Sequence, residues 1–379
     1  MIPYGRQSIS EEDIQAVVDV LRSDFLTQGP VVPQFEQCVA DYCDAQFGVA
    51  VNSGTAALHI ACLALGVGVG DWVWTSPISF VASANCALYC GAQVDFVDIE
   101  PDTGNMCAVE LAKKLEIAKK EGKLPKVVIP VHFAGLPCDM KPIFELSQKY
   151  GFRIIEDACH ALGARYYDEP TGNCRYSDIT VFSFHPVKII TTGEGGMAMT
   201  NVPKLAKTMR MLRSHGITRE QEDFINEPDG PWYYEQQMLG FNYRMTDIQA
   251  ALGLSQMSRL EEFLAKRRVI AARYQAELPH RELEVLANRD NRLSAWHLFV
   301  IKVPVEQRKK SFEQLRNSGV GANVHYIPIY QQPFHFNQSL IKSDYFYKEH
   351  ISIPLFFSLN IMDVELIINL FRNLINGIC

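Results

Sequence analysis

Residues 180–201 read TVFSFHPVKIITTGEGGMAMTN. The runs TVFSF and GMAMT have the apolar, β-branched and aromatic composition of short strands. Between them lies a single lysine, Lys188, followed by two threonines and the glycine-rich turn GEGG. An isolated lysine is ordinarily a solvated surface residue. Whether Lys188 is more than that depends on what the rest of the chain places beside it.

Strand-like and helix-like segments alternate over much of the chain. Short apolar runs predict strands, and the segments between them have apolar residues at helical spacing. This alternation predicts an α/β fold with a mostly parallel sheet, and ligands bind such sheets beyond the carboxyl ends of the strands. The predicted strands are QFGVAV (46–51), DWVWTSP (71–77), AQVDFVDI (92–99), KVVIPVHF (126–133), FRIIEDA (152–158), ITVFSF (179–184) and GMAMTN (196–201).

The length of the chain predicts two domains. At 379 residues it exceeds one ordinary hydrophobic core. After about residue 220 the composition becomes polar, and residues 245–278 then read as one long helix. We therefore expect a large domain at residues 1–250, whose N-terminal segment contributes to the binding pocket, and a smaller C-terminal α/β domain at residues 251–379, linked by that helix. An N-terminal helix should begin after Ser10, a favourable N-cap followed by acidic residues.

The composition argues against nucleic-acid and membrane partners. The net charge is −7 and no basic run is present, so we expect no nucleic-acid groove. Residues 47–70 and 72–94 carry no charge, but polar residues, glycine or proline interrupt both stretches. A membrane-spanning helix needs about 20 predominantly apolar residues. We interpret both stretches as buried strands and helices.

The cysteines and the N-terminus predict a reduced, cytoplasmic protein. MIPYGRQSISEEDIQ lacks the apolar core of a secretory signal. The ten cysteines are scattered without a CxxC pair, so we expect free thiols and neither a metal site nor disulfides. They lie at positions 38, 43, 62, 86, 90, 107, 138, 159, 174 and 379.

The segment VNSGTAAL (51–58) is a candidate phosphate site. It lies where a predicted strand gives way to a helix, and its small residues would let backbone N–H groups approach a ligand. The N-terminus of a helix favours an anion at this point. The alternative is an ordinary tight turn between a strand and a helix.

Asp157, in FRIIEDACHALGA, follows a predicted apolar strand. A buried carboxylate needs a partner, and a helix cap or a salt bridge would supply one. The more specific alternative is a carboxylate that keeps a heteroaromatic nitrogen protonated, because an opposite charge stabilises the charged form.

Three features then fit one ligand. A phosphate at Gly54-Thr55-Ala56, a ring nitrogen at Asp157 and an aldehyde at Lys188 together describe pyridoxal 5'-phosphate. Ser183 alternates with two phenylalanines, so its hydroxyl should face the site while their rings face the core.

The chain resembles the DegT/StrS-type sugar aminotransferases, a fold-type I group that depends on pyridoxal phosphate. The resemblance runs nearly end to end and rests on NSGTAAL, EDACHALGA, FSFHPVKIITTGEGG, LRSHG, GFNYRMTDIQAALGLSQ and VHYIPIY in this order. It implies a large domain with a mostly parallel central sheet and a smaller C-terminal α/β domain. It also implies a cofactor that alternates between pyridoxal and pyridoxamine 5'-phosphate.

The resemblance also implies roles for individual residues around the cofactor. Lys188 and Asp157 would be catalytic: Lys188 binds the aldehyde, and Asp157 pairs with the ring nitrogen. Phe80 would pack on the ring, at a position where the family more often has a polar tip. The remaining cofactor-binding positions are Gly54, Thr55, Ala56, Ser183, His160 near the ring's 3-hydroxyl, and Asn242 from the neighbouring subunit.

The implied assembly is a homodimer whose two subunits share each site. The positions that match the family's sugar-nucleotide pocket are Tyr4, Leu26, Thr27, Gln28, Arg244, His325 and Tyr326.

The N-terminal sequence IPYGRQSISEEDIQAVVDVLRSDFLTQGP narrows the resemblance to the branch of the family that acts in pseudaminic acid synthesis. That branch uses L-glutamate and a UDP-linked 4-keto-6-deoxy-N-acetylhexosamine. Three alternatives remain: another nucleotide-linked 4-keto or 3-keto sugar, a sugar 3-dehydratase, and a regulatory protein without catalysis. The dehydratases have histidine where this chain has Lys188, which favours amino transfer.

Overall fold

A seven-stranded sheet occupies the centre of the larger part of the computed structural model, which describes residues 1–279, 283–287, 289–335 and 338–375. The first nine strands of the chain, of which all but the sixth and seventh belong to this sheet, are β1 Phe47–Val51, β2 Trp72–Thr75, β3 Gln93–Phe96, β4 Val127–Ile129, β5 Arg153–Asp157, β6 Arg165–Tyr166, β7 Glu169–Pro170, β8 Ile179–Ser183 and β9 Gly196–Thr200.

The strand order in the sheet is β1-β9-β8-β5-β4-β2-β3. Within this sheet β9 runs antiparallel to both of its neighbours, and the other strands point the same way. All seven strands predicted from the sequence, and the mostly parallel sheet, are confirmed. The carboxyl ends of β1, β5 and β8 therefore lie on one edge, although these strands are far apart in the chain.

Twelve helices and six short strands complete the described structure. The helices are α1 Glu11–Leu21, α2 Val31–Cys43, α3 Gly54–Ala64, α4 Ala82–Tyr89, α5 Ala108–Glu121, α6 Met140–Tyr150, α7 Pro203–Leu212, α8 Asp247–Met257, α9 Leu260–Glu277, α10 Val305–Asn317, α11 Ile341–Glu349 and α12 Ile361–Ile375. The strands are β10 Ile217–Thr218, β11 Glu235–Gln236, β12 Glu284–Val285, β13 Arg292–Leu293, β14 Phe299–Lys302 and β15 His350–Ile353.

The two uncharged stretches of the sequence form elements of this α/β fold. Residues 47–70 contain β1 and α3, and residues 72–94 contain β2, α4 and the beginning of β3. Both helices pack on the sheet through small and apolar side chains. Within the described ranges, no helix has the length and apolar character needed to cross a membrane. The nine described cysteines are free thiols, and Cys379 lies outside the described residues.

The prediction of one long helix at residues 245–278 is wrong. The structure has two helices, α8 and α9, with a break at Ser258 and Arg259. The Ser258 hydroxyl donates to the Ser255 carbonyl, which competes with the helical hydrogen-bond pattern. The Arg259 guanidinium turns toward Asp13 of α1, which is distant in the sequence.

The C-terminal part has its own three-stranded antiparallel sheet, in the order β12-β14-β15. Helix α9 connects it to the larger part: Phe263 and Leu264 pack in the core beside the large sheet, whereas Ile270 and Tyr274 pack with the small sheet. The helix thus bridges two hydrophobic cores, and the domain boundary at residue 250 stays a prediction.

The N-terminal helix is fixed through one buried carboxylate. Ser10 is the N-cap of α1 and forms a reciprocal capping box with Asp13, as the sequence predicts for the cap. Asp13 is fully buried and also accepts hydrogen bonds from Ser255 Oγ and Gln256 Nε2, both at 2.6 Å, and from Arg259 at 3.2 Å. These contacts tie the N-terminal segment to α8 and to the break that follows it.

We expect Asp13→Ala to reduce the free energy of unfolding by about 3 kcal/mol, because it leaves a partly buried arginine and several polar groups without their partner. Chemical unfolding followed by circular dichroism measures the change. Glu11→Ala, an exposed substitution in the same helical turn, is the matched control and should change stability little. Equal effects of the two substitutions would contradict this account of the network.

Candidate active site

A cavity of about 970 Å³ lies beyond the carboxyl ends of the central strands. Its position is the one at which open α/β sheets bind ligands, and its size suits a large small-molecule ligand. Ten of the residues predicted for the site lie together in the wall of this cavity. They are Tyr4, Gly54, Thr55, Phe80, Asp157, His160, Ser183, Lys188, His325 and Tyr326.

One wall of the cavity is the N-terminus of α3. Ser53 is the N-cap, and its hydroxyl accepts a hydrogen bond from the Ala56 N–H at 3.1 Å. The N–H groups of Gly54 and Thr55 belong to the first helical turn and have no partner in the helix ladder. A Cβ added at Gly54 would come within 2.9 Å of Ser183 Cβ, so only glycine fits. This arrangement suits an anion such as a phosphate group.

Ala56, which was expected to bind the phosphate together with Gly54 and Thr55, lies outside the cavity wall. The reason is that its N–H is already used by the Ser53 cap. Ser183, at the end of β8, faces the cavity as predicted, while Phe182 and Phe184 are fully buried in the core.

The Asp157 carboxylate lies in the wall of the cavity at the end of β5. Oδ2 accepts a hydrogen bond from Ser83 Oγ at 2.6 Å, and Oδ1 accepts from the Cys159 N–H at 3.2 Å. Two donors on different oxygens fix the plane of the carboxylate. The carboxylate therefore suits a protonated ring nitrogen as a partner.

Lys188 reaches the cavity from the connection between β8 and β9. Among the residues that the structure describes, none forms a hydrogen bond or an ion pair with its Nζ. Burial lowers the pKa of Lys188, and Cys159 and Asp157 offset only part of this effect. A lysine with a lowered pKa has more neutral amine near pH 7, which is the form that attacks an aldehyde.

Three of the histidines in the cavity wall, His160, His297 and His325, lie in surroundings that disfavour protonation. Burial, together with the charge of Lys188 and with His325, holds the pKa of His160 well below its usual range. Burial lowers the pKa of His325 to about 3, with Lys188 adding to the effect. His160 Nε2 lies 3.2 Å from Tyr326 Oη, and its buried Nδ1 has no protein partner. His160 is thus a neutral ring whose buried Nδ1 has no hydrogen-bond partner among the residues that the structure describes.

Aromatic side chains close the outer part of the cavity. The Phe80 ring is 60% exposed, and its centroid lies 6.5 Å from that of Tyr326. Tyr4 lies 5.3 Å from the His325 ring, which is held by Ser352 Oγ at 2.8 Å. Phe80 is therefore free to pack against a ligand, as expected of a ring without a polar tip.

Five predicted residues lie outside the cavity of their own chain: Leu26, Thr27, Gln28, Asn242 and Arg244. The prediction that Leu26, Thr27 and Gln28 line the pocket is not met within one chain. Their segment pairs instead with the residues before α8, through the bridge between Thr27 and Thr246. Arg244 pairs with Val51 at the end of β1, and the Asn242 carbonyl lies 3.4 Å from Asn52 Nδ2.

Several residues of the cavity wall were not predicted from the sequence, Ser83 and His297 among them. Ser83 belongs to the helix-like run ISFVASANCALYCG, and His297 precedes a strand in SAWHLFVIKV. The His297 ring lies 4.3 Å from the His160 ring, and its Nδ1 is buried without a partner. One signal was available: Ser79 and Ser83 are four residues apart, the spacing that puts two hydroxyls on one side of a helical turn.

Sequence and structure comparisons agree on the family. The profile of the DegT/DnrJ/EryC1/StrS aminotransferase family matches residues 7–372. The chain is 37% identical to the spore coat polysaccharide biosynthesis protein SpsC of Bacillus subtilis, covering 99% of this chain and 97% of that protein. It is 36% identical to the UDP-4-amino-4,6-dideoxy-N-acetyl-β-L-altrosamine transaminase of Campylobacter jejuni, covering 97% of this chain and 96% of that enzyme.

Two solved structures extend the comparison. PseC of Helicobacter pylori, an aminotransferase of pseudaminic acid biosynthesis, superposes with a TM-score of 0.90 at 30% identity over 99% of both chains. The putative sugar aminotransferase Spr1654 of Streptococcus pneumoniae, in its pyridoxamine phosphate form, also gives a TM-score of 0.90, at 30% identity over 100% of both chains. A pyridoxal phosphate form of that protein matches too, with a TM-score of 0.88.

The fold and the site define a pyridoxal phosphate-dependent aminotransferase. The chain belongs to the DegT/DnrJ/EryC1/StrS aminotransferase family and is a sugar aminotransferase of fold type I. Its residues fit the cofactor: the Gly54 cradle suits the phosphate, Asp157 suits the ring nitrogen, and Lys188 offers an unpaired amine. These individual roles rest on the geometry of this chain.

We expect Lys188 of the cofactor-free protein to react with a simple aldehyde at lower pH than an exposed lysine, because burial lowers its pKa. Lys149 is an internal control, since hydrogen bonds to Tyr150 and Glu116 raise its pKa. Reductive methylation with formaldehyde over a pH series, quantified by peptide mass spectrometry, gives the midpoint for each lysine. Identical midpoints would contradict the assignment of a lowered pKa to Lys188.

Proposed function

We propose that the chain transfers the amino group of L-glutamate to C4 of a UDP-linked 4-keto-6-deoxy-N-acetylhexosamine. The product is UDP-4-amino-4,6-dideoxy-N-acetyl-β-L-altrosamine, a precursor of pseudaminic acid. The observation that carries the transfer itself is the unpaired Lys188 amine in one cavity with the Asp157 carboxylate and the α3 anion site. The choice of sugar is supported by the likeness to the Campylobacter and Helicobacter enzymes.

The residues of this chain divide the work of the reaction. When bound, pyridoxal phosphate accepts the amino group and draws electrons from the carbon that is deprotonated. Gly54, Thr55 and Ser183 would hold its phosphate, and Asp157 would pair with its ring nitrogen and keep that nitrogen protonated. Lys188 Nζ removes the α-proton of glutamate in the first half-reaction. In the second, the same atom delivers a proton to C4 of the sugar.

Delivery of the proton by one fixed group determines the stereochemistry at C4. Lys188 approaches the sugar from a single side, so a single isomer forms. The orientation of the sugar then depends on its contacts with Tyr4, His325 and Tyr326 in the outer cavity. A family member acting on another 4-keto sugar or on a 3-keto sugar would use the same catalytic groups, and the likeness to the spore coat protein keeps that alternative open.

The working unit in this proposal is a cytoplasmic homodimer with shared sites. Asn242 and Arg244 lie beside the end of β1 but outside their own chain's cavity. The polypeptide before them carries exposed apolar side chains, with Trp232 69% and Leu239 79% exposed. In a dimer that covers these side chains, Asn242 of one chain would reach the phosphate site of the other chain. Thr27 and Gln28 would likewise reach the other chain's sugar pocket.

We expect the wild-type holoenzyme to release stoichiometric 2-oxoglutarate from L-glutamate without any sugar, with collapse of its visible absorption band. Lys188→Ala should abolish turnover, because no other group replaces both the amine and the proton carrier. The assay is enzymatic detection of 2-oxoglutarate, and Lys204→Ala, an exposed substitution on α7, is the control that should leave the rate unchanged.

The outcomes separate the alternatives. A coloured protein that does not respond to glutamate would point to another donor or to a dehydratase, and a protein that binds no cofactor would point to a regulatory role. Once the holoenzyme has taken up the amino group of glutamate, candidate keto-sugars are added one at a time. NMR of the product then identifies the carbon that was aminated and its configuration. Amination of a different sugar, at C3 or with the opposite C4 configuration, would overturn the proposed substrate.

The shared site predicts recovery of activity in mixed dimers. Lys188→Ala removes the amine, and Asn242→Asp places a carboxylate beside the cofactor phosphate of the partner subunit. Random mixing of the two inactive chains should restore about one quarter of wild-type activity, because half the dimers are mixed and each mixed dimer has one intact site. Mass spectrometry confirms that mixed dimers form. If they form without any activity, each site is built from a single chain.

A further inference from the structure

Two buried serines, Ser79 and Ser83, form a chain of hydrogen bonds that ends at the Asp157 carboxylate. Ser83, in the first turn of α4, is 1% exposed and donates to Asp157 Oδ2 at 2.6 Å. Ser79 is 4% exposed, and its hydroxyl lies 2.7 Å from that of Ser83. Ser79, Ser83 and Asp157 all line the cavity, so the three polar groups form a continuous line in its wall.

The chemistry of these groups fixes the direction of the hydrogen bonds. An ionised carboxylate only accepts, and a serine hydroxyl has a single hydrogen to donate. Because the Ser83 hydrogen is directed to Asp157, the hydrogen between the two serines comes from Ser79. Ser79 thus donates to Ser83, and Ser83 donates to Asp157, which strengthens the second bond through polarisation.

The position of Ser83 offers no other use for its hydroxyl. The N-cap of α4 is Val81, and no side chain caps this helix. Within the described chain, the Ser83 hydroxyl has Ser79 and Asp157 as its partners. Alanine has the higher helix propensity and would avoid burying a polar group. What serine adds at this position is the contact with the carboxylate.

We infer that Ser83 is a positioning residue that holds the Asp157 carboxylate in one orientation for the ring nitrogen of the cofactor, with Ser79 orienting the Ser83 hydroxyl. The Cys159 N–H fixes the second oxygen, and Ser83 completes the definition of the carboxylate plane. This inference rests on the proposed pairing of Asp157 with the cofactor. It assigns to α4 a contribution to catalysis without contact with substrate.

The test compares Ser83→Ala, Ser83→Thr and Ser79→Ala with the wild-type protein. Three quantities are measured: the dissociation constant of pyridoxal 5'-phosphate, the pH dependence of its visible absorption when bound, and the rate of the glutamate half-reaction. Loss of a charge-assisted hydrogen bond should slow the half-reaction by about 10- to 100-fold in Ser83→Ala and weaken cofactor binding by about 10-fold.

The absorption of bound cofactor in Ser83→Ala should titrate at a shifted pH, while the KM for glutamate changes little. Ser83→Thr keeps the hydroxyl and should recover to within about 3-fold of wild type, and Ser79→Ala should fall between wild type and Ser83→Ala.

Ser343 provides a matched control. It is fully buried and its hydroxyl donates to Asp98 Oδ1 at 2.6 Å, the same kind of bond at a place outside the cavity wall. Ser343→Ala should lower stability as Ser83→Ala does, yet leave the cofactor's affinity and absorption unchanged.

Two results would overturn the inference: wild-type cofactor affinity and titration in Ser83→Ala, or equal changes in Ser83→Ala and Ser343→Ala. If the wild-type protein takes no amino group from glutamate, the proposed function fails. The cofactor's affinity and absorption still decide the role of Ser83 in that case.

Discussion

A charged carboxylate in a protein interior has to be held by hydrogen-bond donors, and the site depends on how Asp157 meets this requirement. Its donors come from two different parts of the fold: the N–H of Cys159, just beyond β5, and the hydroxyl of Ser83 on α4. These two hydrogen bonds hold the carboxylate at one defined point of the cavity. Burial also acts on two other groups in the cavity wall: it lowers the pKa of Lys188, and it keeps His160 neutral.

The topology of the sheet explains how these groups meet. Strands β1, β5 and β8 end on one edge because all three point the same way, and the chain turns from each end directly into a segment that lines the cavity. Strand β9 returns antiparallel to β8, so that Lys188 lies on a short connection between two buried strands. A connection anchored at both ends holds a long flexible side chain near a fixed point, which a surface loop would not do.

Most of the central sheet could be predicted because its signals are local. Alternation of strands and helices is written in the sequence, and Gly54, Asp157 and Lys188 each follow or precede an apolar run. The break between α8 and α9 could not be predicted, because Arg259 turns toward Asp13 across 246 residues of chain. Leu26, Thr27 and Gln28 lie outside the cavity of their own chain, where Thr27 pairs with Thr246 just before α8, and their place in a sugar pocket stays a prediction.

Ser83 and His297 escaped notice because each lies in a segment whose pattern describes an ordinary buried element. A hydroxyl or an imidazole in such a segment has meaning only through its neighbours in space, which the pattern does not contain. The neighbours here are the carboxylate for Ser83 and the His160 ring for His297.

The electrostatics of the cavity depend on which of the groups in its wall titrate. Three of the histidines in its wall are neutral, since burial keeps the pKa values of His160, His297 and His325 low. The anion site is formed by backbone N–H groups of α3, whose partial charges do not depend on pH. Burial lowers the pKa of Lys188 and so eases its loss of a proton, whereas the partial charges of the α3 N–H groups stay the same. The group that titrates is thus separate from the helix N-terminus that suits an anion, so a change in the charge of Lys188 leaves that part of the cavity unaltered.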